Sequence, residues 1–387
     1  MRVLGKSLPA ALDPRRLLAP VAQGPAWDGL VQVPSRLLRP RAGAAEGIVA
    51  KPINAALQGG GAHGAFTWGV LDRLLEDGRV RFEAVSGTSA GAMNAVALAA
   101  GLIDGGADGA RASLEAFWRA VSETARYSPL RPHPLDLRGD PERHDASARV
   151  VVLDLLTRLL SPYQLNPLDF NPLREVLEET VNFRRLREKS PIAVFIAATD
   201  VATGERRIFD TGELSVDAVL ASACLPHLHK AVKVGRRHYW DGGYSANPPI
   251  LPLVDAGRAP DTLIVQLDPS REPEVPTTAR AIIARINRIT FNAPLRREVE
   301  LIERLRDLAG DGFTVGGHSR RLRRHRFHHI EARNLSRDLG SASKLHPDWG
   351  MLCRLRDRGR TAADAWLRRN LSAVGDRSTV DLAAKFL

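Results

Sequence analysis

Apolar positions change rhythm at residue 53. Residues 53–57 (INAAL) form a short apolar run that ends in Gln58 and three glycines, which predicts a buried strand and a tight turn. Phe66, Val70, Leu71, Leu74 and Leu75 then recur at helical spacing, so a helix is expected over 65–77, stopped by Gly78. Residues 81–85 read as a second strand, 87–91 as a turn and 92–102 as a helix of small residues. Strand, turn and helix, twice over, open a parallel α/β sheet.

The pattern continues downstream. Residues 191–199 (PIAVFIAAT) are continuously apolar, as a strand covered on both faces must be. A hairpin partner is expected at 207–210, a helix at 216–224 before Pro226, a strand at 237–240 and a buried strand at 261–267. A long amphipathic helix is expected over 277–308, broken near Pro294, then a strand at 328–332 and a helix at 348–371. Residues 1–50 show no periodicity and read as a flexible Arg/Ala/Pro-rich leader. Residues 126–172 are rich in proline and arginine and read as a loop-rich insertion or lid. The expected division is a leader (1–50), an α/β domain (51–311) and a basic C-terminal extension packing on it (312–387).

Charge changes the picture once it is localised. The net charge is +11, but residues 51–311 carry 32 basic and 34 acidic side chains, while 1–50 carry 7 and 3 and 312–387 carry 16 and 7. The core is close to neutral, so the basic balance does not mark the whole molecule as a nucleic-acid binder, and aromatic residues to stack bases are only 5% of the chain. Two cysteines, Cys224 and Cys353, exclude a disulfide framework and a cysteine-rich zinc module. The start lacks the continuous apolar stretch of a secretory signal, and the longest low-polarity run, near 93–103, falls short of the ~20 residues of a membrane span. A cytoplasmic location is expected, with peripheral membrane contact left open.

Three motifs carry chemistry. Gly59-Gly60-Gly61-Ala62-His63-Gly64 follows a strand and opens a helix, where unpartnered backbone N–H groups and the helix dipole favour a phosphate or an oxyanion. The same run satisfies the dinucleotide fingerprint, and Glu83 stands at about the distance of its ribose-binding acid. Gly87-Thr88-Ser89-Ala90-Gly91 is G-x-S-x-G between a strand and a helix, the tight turn that lifts a nucleophilic serine above the sheet. Asp241-Gly242-Gly243 alone is a turn. Beside a serine, a buried aspartate with a raised pKa can act as base.

In this order and spacing, GGGAHG at 59–64, GTSAG at 87–91 and DGG at 241–243, with AVLASACLP at 218–226, the chain resembles the patatin-like phospholipases over about residues 52–375. The resemblance implies a three-layer α/β/α fold with a central, mostly parallel sheet and a serine nucleophile elbow. It implies lipid acyl hydrolysis, with Ser89 as nucleophile and Asp241 as general base. It also implies an oxyanion hole framed by Gly59, Gly60, Gly61 and Gly64, with the N–H groups of Gly60 and Gly61 as donors. Gly87, Gly91, Gly242 and Gly243 complete the motifs. No cofactor or metal is needed. The expected partner is a lipid, phospholipid or another acyl ester, with an anionic membrane as a peripheral contact and no nucleic acid. His63 stands where many members carry Arg or Lys, so a positive charge there at neutral pH is not assured.

The remaining polar residues read as follows. His63 lies in the glycine turn beside Ser89, where it reads either as a triad histidine or as a side chain pointing away from the turn, the second being the expectation. His227 and His229 are expected on a surface loop or lining the acyl pocket. His318, His325, His328 and His329 are too irregularly spaced for a metal site. The run 320–326 reads as a solvated face, a contact for anionic lipid or, least of the three, a nucleic-acid contact. Two rival readings stay open: an oxidoreductase using the glycine run and Glu83, and a membrane or nucleic-acid adaptor on an inactive hydrolase core.

Overall fold

A computed structural model describes residues 50–125, 160–310, 317–333, 342–345 and 347–387. The expected leader, and residues 126–159 of the expected lid, lie outside the described residues.

Eight strands form one sheet: β1 (Lys51–Leu57), β2 (Val80–Gly87), β3 (Ala193–Asp200), β4 (Arg206–Phe209), β5 (Val232–Val234), β6 (Arg237–Asp241), β7 (Asp261–Gln266) and β8 (Arg326–Glu331). Their order is β5-β6-β3-β2-β1-β7-β8, with β4 also paired to β3. The pairs β3–β2, β2–β1, β1–β7 and β7–β8 are parallel, and β4, β5 and β6 are antiparallel. The main helices are α1 (Gly64–Asp77), α2 (Ala90–Ala125), α3 (Pro172–Thr180), α4 (Phe183–Lys189), α5 (Val216–Ser222), α6 (Leu251–Ala256), α7 (Ala279–Gly310), α8 (Gly317–Arg324), α9 (Trp349–Asn370) and α10 (Leu382–Phe386).

Strand alternation divides the core into two layers. Ala55, Leu57, Leu263 and Val265 pack with α1, α2 and α9 on one face, whereas Ala56, Ile264 and Phe327 pack with α6, α7 and α10 on the other. The continuously apolar runs are therefore strands covered on both faces, and the architecture is a mixed α/β fold with a central, mostly parallel sheet.

Several details differ from the sequence expectation. The helix expected over 92–102 ends at a break at Gly105 and Gly106, where the backbone leaves helical geometry, and a second helix, not foreseen, carries α2 on to Ala125. It is long and apolar enough to resemble a membrane span, yet two thirds of its most apolar stretch is buried in the core. α7 runs through Pro294 without ending. The missing N–H costs a helical bond, but Leu295, Val299 and Ile302 are buried directly after it and hold the helix on the sheet. Residues beyond 311 supply the edge strand β8 and helix α9, which packs along α1.

Candidate active site

The parallel strands β1, β2 and β7 end on the same side; the glycine turn follows β1, the serine turn follows β2, and the aspartate turn follows the antiparallel strand β6. At the end of β2, Ser89 has φ 54°, a left-handed backbone that few side chains tolerate. Its neighbours make that turn possible. A Cβ on Gly91 would overlap the Leu57 carbonyl, and one on Gly87 would overlap Gly91. The Ser89 N–H donates to Ser222 Oγ at 2.9 Å, and Thr88 Oγ1 donates to the Ala246 carbonyl at 2.6 Å. Ser89 itself is half-buried.

The glycine turn abuts this elbow. A Cβ on Gly59 would lie 2.9 Å from Ser89 Cβ and 2.7 Å from the Thr88 carbonyl oxygen. The Gly59 N–H is occupied: it donates to Asn247 Oδ1 at 2.8 Å. Gly64 N–H turns back to the Ala62 and Gly61 carbonyls, so Gly64 shapes the turn by its small size, against Ala90 and Trp118. The N–H groups of Gly60 and Gly61, at the start of a short 3-10 turn (Gly61–His63), have no backbone or side-chain acceptor among the described residues.

Asp241 closes β6 and is fully buried. Its N–H donates to the Cys224 carbonyl at 2.8 Å, and its carbonyl accepts from Thr199 Oγ1 at 2.8 Å. Its carboxyl Oδ1 accepts from the Gly243 N–H at 2.7 Å. Oδ2 has no partner in hydrogen-bond geometry. Burial pushes the carboxyl up to about 7, against the opposing pull of the Gly243 N–H and of the Ser89 hydroxyl. The Ser89 hydroxyl stands near enough to favour the ionised form of Asp241, yet no hydrogen bond of standard geometry joins the two. Gly242 packs against the Ala197 carbonyl, and Gly243 faces the Phe291 ring, leaving no room for side chains.

The other candidates separate from this cluster. His63 is buried, with Nε2 2.7 Å from Ser343 Oγ. Burial, and then Lys344, lower its pKa to about 4. Glu83 lies in the middle of β2 and pairs with Arg81 at 2.7 Å. A ribose-binding acid must stand at the carboxyl end of its strand, so the dinucleotide reading loses its acidic partner. His227 is exposed and His229 half-buried. His325 is bound to Thr262 (2.7 Å), His328 to Asp261 (3.0 Å) and Thr379 (2.9 Å), and His329 to Gln266 (2.9 Å). The arginine run is not a uniform solvated face: Arg321 donates to the Asp255 carbonyl at 3.0 Å, and Arg326 chelates the buried carboxylate of Asp261 at 3.0 and 2.8 Å. Among the described residues, no group of three or more His, Cys, Asp or Glu is placed to hold a metal.

Sequence reasoning missed the residues that hold the turns. Gln58 is buried and accepts from the N–H groups of Leu267 and Asp268 at 2.7 and 2.9 Å, tying β1 to the end of β7. Its position between a strand and three glycines was the one available signal. Ser222 lies in the segment 218–226 that the sequence singled out, but its contact with Ser89, 133 residues away, was not legible there, and Asn247, 188 residues from Gly59, carried no signal. A C-terminal turn (Ala342–Leu345) packs on the glycine turn, where Lys344 binds Asp268 at 2.7 and 2.8 Å.

A family model described as patatin-like phospholipase matches residues 55–254, more than half of the chain, and the chain belongs to this family. Two solved structures are distantly similar. VipD from Legionella pneumophila is 16% identical, with 80% of this chain and 67% of VipD covered and a TM-score of 0.33. The ExoU–SpcU complex from the type III secretion system of Pseudomonas aeruginosa is 15% identical, with 84% of this chain and 53% of the other covered and a TM-score of 0.34. This chain thus spans about half the length of that second relative. No curated protein matches it in sequence.

Proposed function

We propose that this member of the patatin-like phospholipase family is a lipid acyl hydrolase that works through a Ser89–Asp241 dyad and an acyl-enzyme. The observation that carries the reading is the state of Asp241. Its carboxyl is wholly buried with a pKa near 7, one oxygen is fixed by Gly243, and the other has no partner in hydrogen-bond geometry beside a strained serine turn. An ordinary aspartate is too weak a base to activate a serine at neutral pH, and burial raises its basicity into the working range.

Ser89 Oγ attacks the ester carbonyl while its proton passes to Asp241. The tetrahedral oxyanion accepts from the N–H groups of Gly60 and Gly61, and losing one such donor typically costs about 10²–10³ in rate. The carbon–oxygen bond to the alcohol breaks, and Asp241 returns the proton to the leaving oxygen. Water then attacks the acyl-enzyme with Asp241 again as base, releasing the fatty acid and restoring Ser89. Asn247 supports the hole indirectly by holding the Gly59 end of the turn.

The test is covalent labelling by a fluorophosphonate probe together with hydrolysis of p-nitrophenyl butyrate. Ser89→Ala is expected to lose both, and Asp241→Asn to lose hydrolysis while remaining folded by circular dichroism. Wild-type turnover in either variant overturns the dyad.

A further inference from the structure

Helix α7 changes character along its length. Leu295, Val299 and Ile302 are buried in the core. Over residues 279–290, none of the described side chains is buried. Ile282, Ile286 and Ile289 are 41%, 55% and 61% exposed, and Val275 ahead of the helix is 83% exposed. Spacing of four and three residues sets the isoleucines in one stripe. An aligned set of large apolar side chains in water calls for a partner.

The charge around the stripe says which partner. Residues 271–297 hold six arginines and two glutamates, no lysine and no aspartate. Glu272 is already neutralised by Arg285 and Arg288 at 2.7 and 2.8 Å. Arg285 also donates to the Glu272 and Glu274 carbonyls at 3.1 and 2.9 Å, so the cations left open to solvent are Arg271 and Arg296, which with Arg285, Arg288 and Ile289 line a groove of about 640 Å³ between the helix and the segment after β7. An apolar stripe rimmed by cations suits a surface with an anionic head-group layer over an acyl interior.

The same helix is rooted in the candidate active site. Phe291, two residues past Ile289, packs on Gly243 and holds its ring 5.0 Å from that of Tyr244. Asn292 accepts from Gln58 at 2.9 Å and donates to the Pro269 carbonyl at 3.0 Å. The exposed stripe therefore leads into both the aspartate turn and the residue before the glycines.

We propose that residues 279–290 of α7 dock the protein on an anionic lipid bilayer, with Ile282, Ile286 and Ile289 entering the acyl layer and the flanking arginines meeting the phosphates. This rests on the reading of the site as a lipid acyl hydrolase. It moves the membrane contact away from the arginines at 320–326. There the one aliphatic side chain, Leu322, is buried, so the arginines flank nothing that could enter an acyl layer.

The test is flotation of the full chain with vesicles of phosphatidylcholine, with and without phosphatidylglycerol, at low and high salt. Turnover of water-soluble p-nitrophenyl butyrate is measured on the same samples. The wild type is expected to float with the anionic vesicles, and less so as salt rises. Ile282→Gln/Ile286→Gln/Ile289→Gln is expected to lose at least about tenfold in partitioning while keeping its turnover of the soluble ester. Equal flotation of the triple variant, or no preference of the wild type for anionic vesicles, overturns the proposal. So does loss of ester turnover together with flotation, which would make the stripe structural. A wild-type dimer that the triple variant dissolves while flotation persists would assign the stripe to a second copy instead. Absence of ester turnover in the wild type would refute the hydrolase reading and leave the vesicle result legible on its own.

Discussion

Replacing Asp241 by Asn should make the protein more stable, and only above a defined pH. The folded carboxyl has a pKa of about 7, raised by burial, where an unfolded aspartate has 3.8. Between those values the folded state holds a proton that the unfolded state has released, so wild-type stability falls as pH rises from about 4 to about 7. Above pH 7 the buried group is ionised in the folded state, at a cost of up to about 4 kcal/mol. Asn is nearly isosteric, keeps an oxygen to accept from the Gly243 N–H, and carries no charge. Urea denaturation of wild type and Asp241→Asn, compared from pH 4.5 to 8.5, checks this. The variant should gain a few kcal/mol at pH 8, and the gain should shrink toward zero near pH 4. A difference that does not vary with pH, or a variant less stable at pH 8, would refute the burial argument, whatever the activity data say. The same carboxyl sets the kinetic profile: kcat/KM for a soluble ester should rise with pH to a plateau, with a midpoint near 7.

Other expectations follow from the supporting contacts. Asn247→Ala frees the Gly59 N–H and loosens the turn beside Ser89, so kcat should fall at least about tenfold with KM little changed in steady-state kinetics. His63→Phe should leave the midpoint of the pH–rate profile in place, since burial holds His63 neutral above a pKa of about 4. A vanished midpoint would make His63 the base. Arg326→Met strips a partner from the buried Asp261. Burial opposes ionisation of that carboxyl, but hydrogen bonds from His328 and Arg326 outweigh burial and hold its pKa well below the usual range. Loss of about 3 kcal/mol is expected at pH 7. The loss should persist at pH 4 and fade only as pH falls below the unfolded carboxylate value, since a depressed pKa stabilises above that value, and chemical denaturation from pH 7 down to about pH 2 reads it.

The limits of sequence reasoning show at particular elements. β1, β3 and β7 were legible because a strand buried on both faces needs a continuous apolar run. α3, α4 and α6 were not, since they are short, capped by Asn171 and Asn182 in the first two cases, and too brief for periodicity to emerge. The break expected at Pro294 failed because burial just beyond it outweighs one missing hydrogen bond.

By itself the sequence determined the α/β class, the order of the three motif turns and the residues that could carry acyl-transfer chemistry. These depend on local rules: apolar runs, turn glycines and a serine in a strand-to-helix bend. Only the tertiary structure decided which of them meet and in what state. Nothing local to Asp241 raises its pKa; full burial beside Ser89 does. Nothing local to Gly59 ties up its N–H; Asn247 does, from 188 residues away. The isoleucines of α7 sit in a helix whose amphipathic spacing was legible, but that spacing is the same for a buried face and for one left open to solvent.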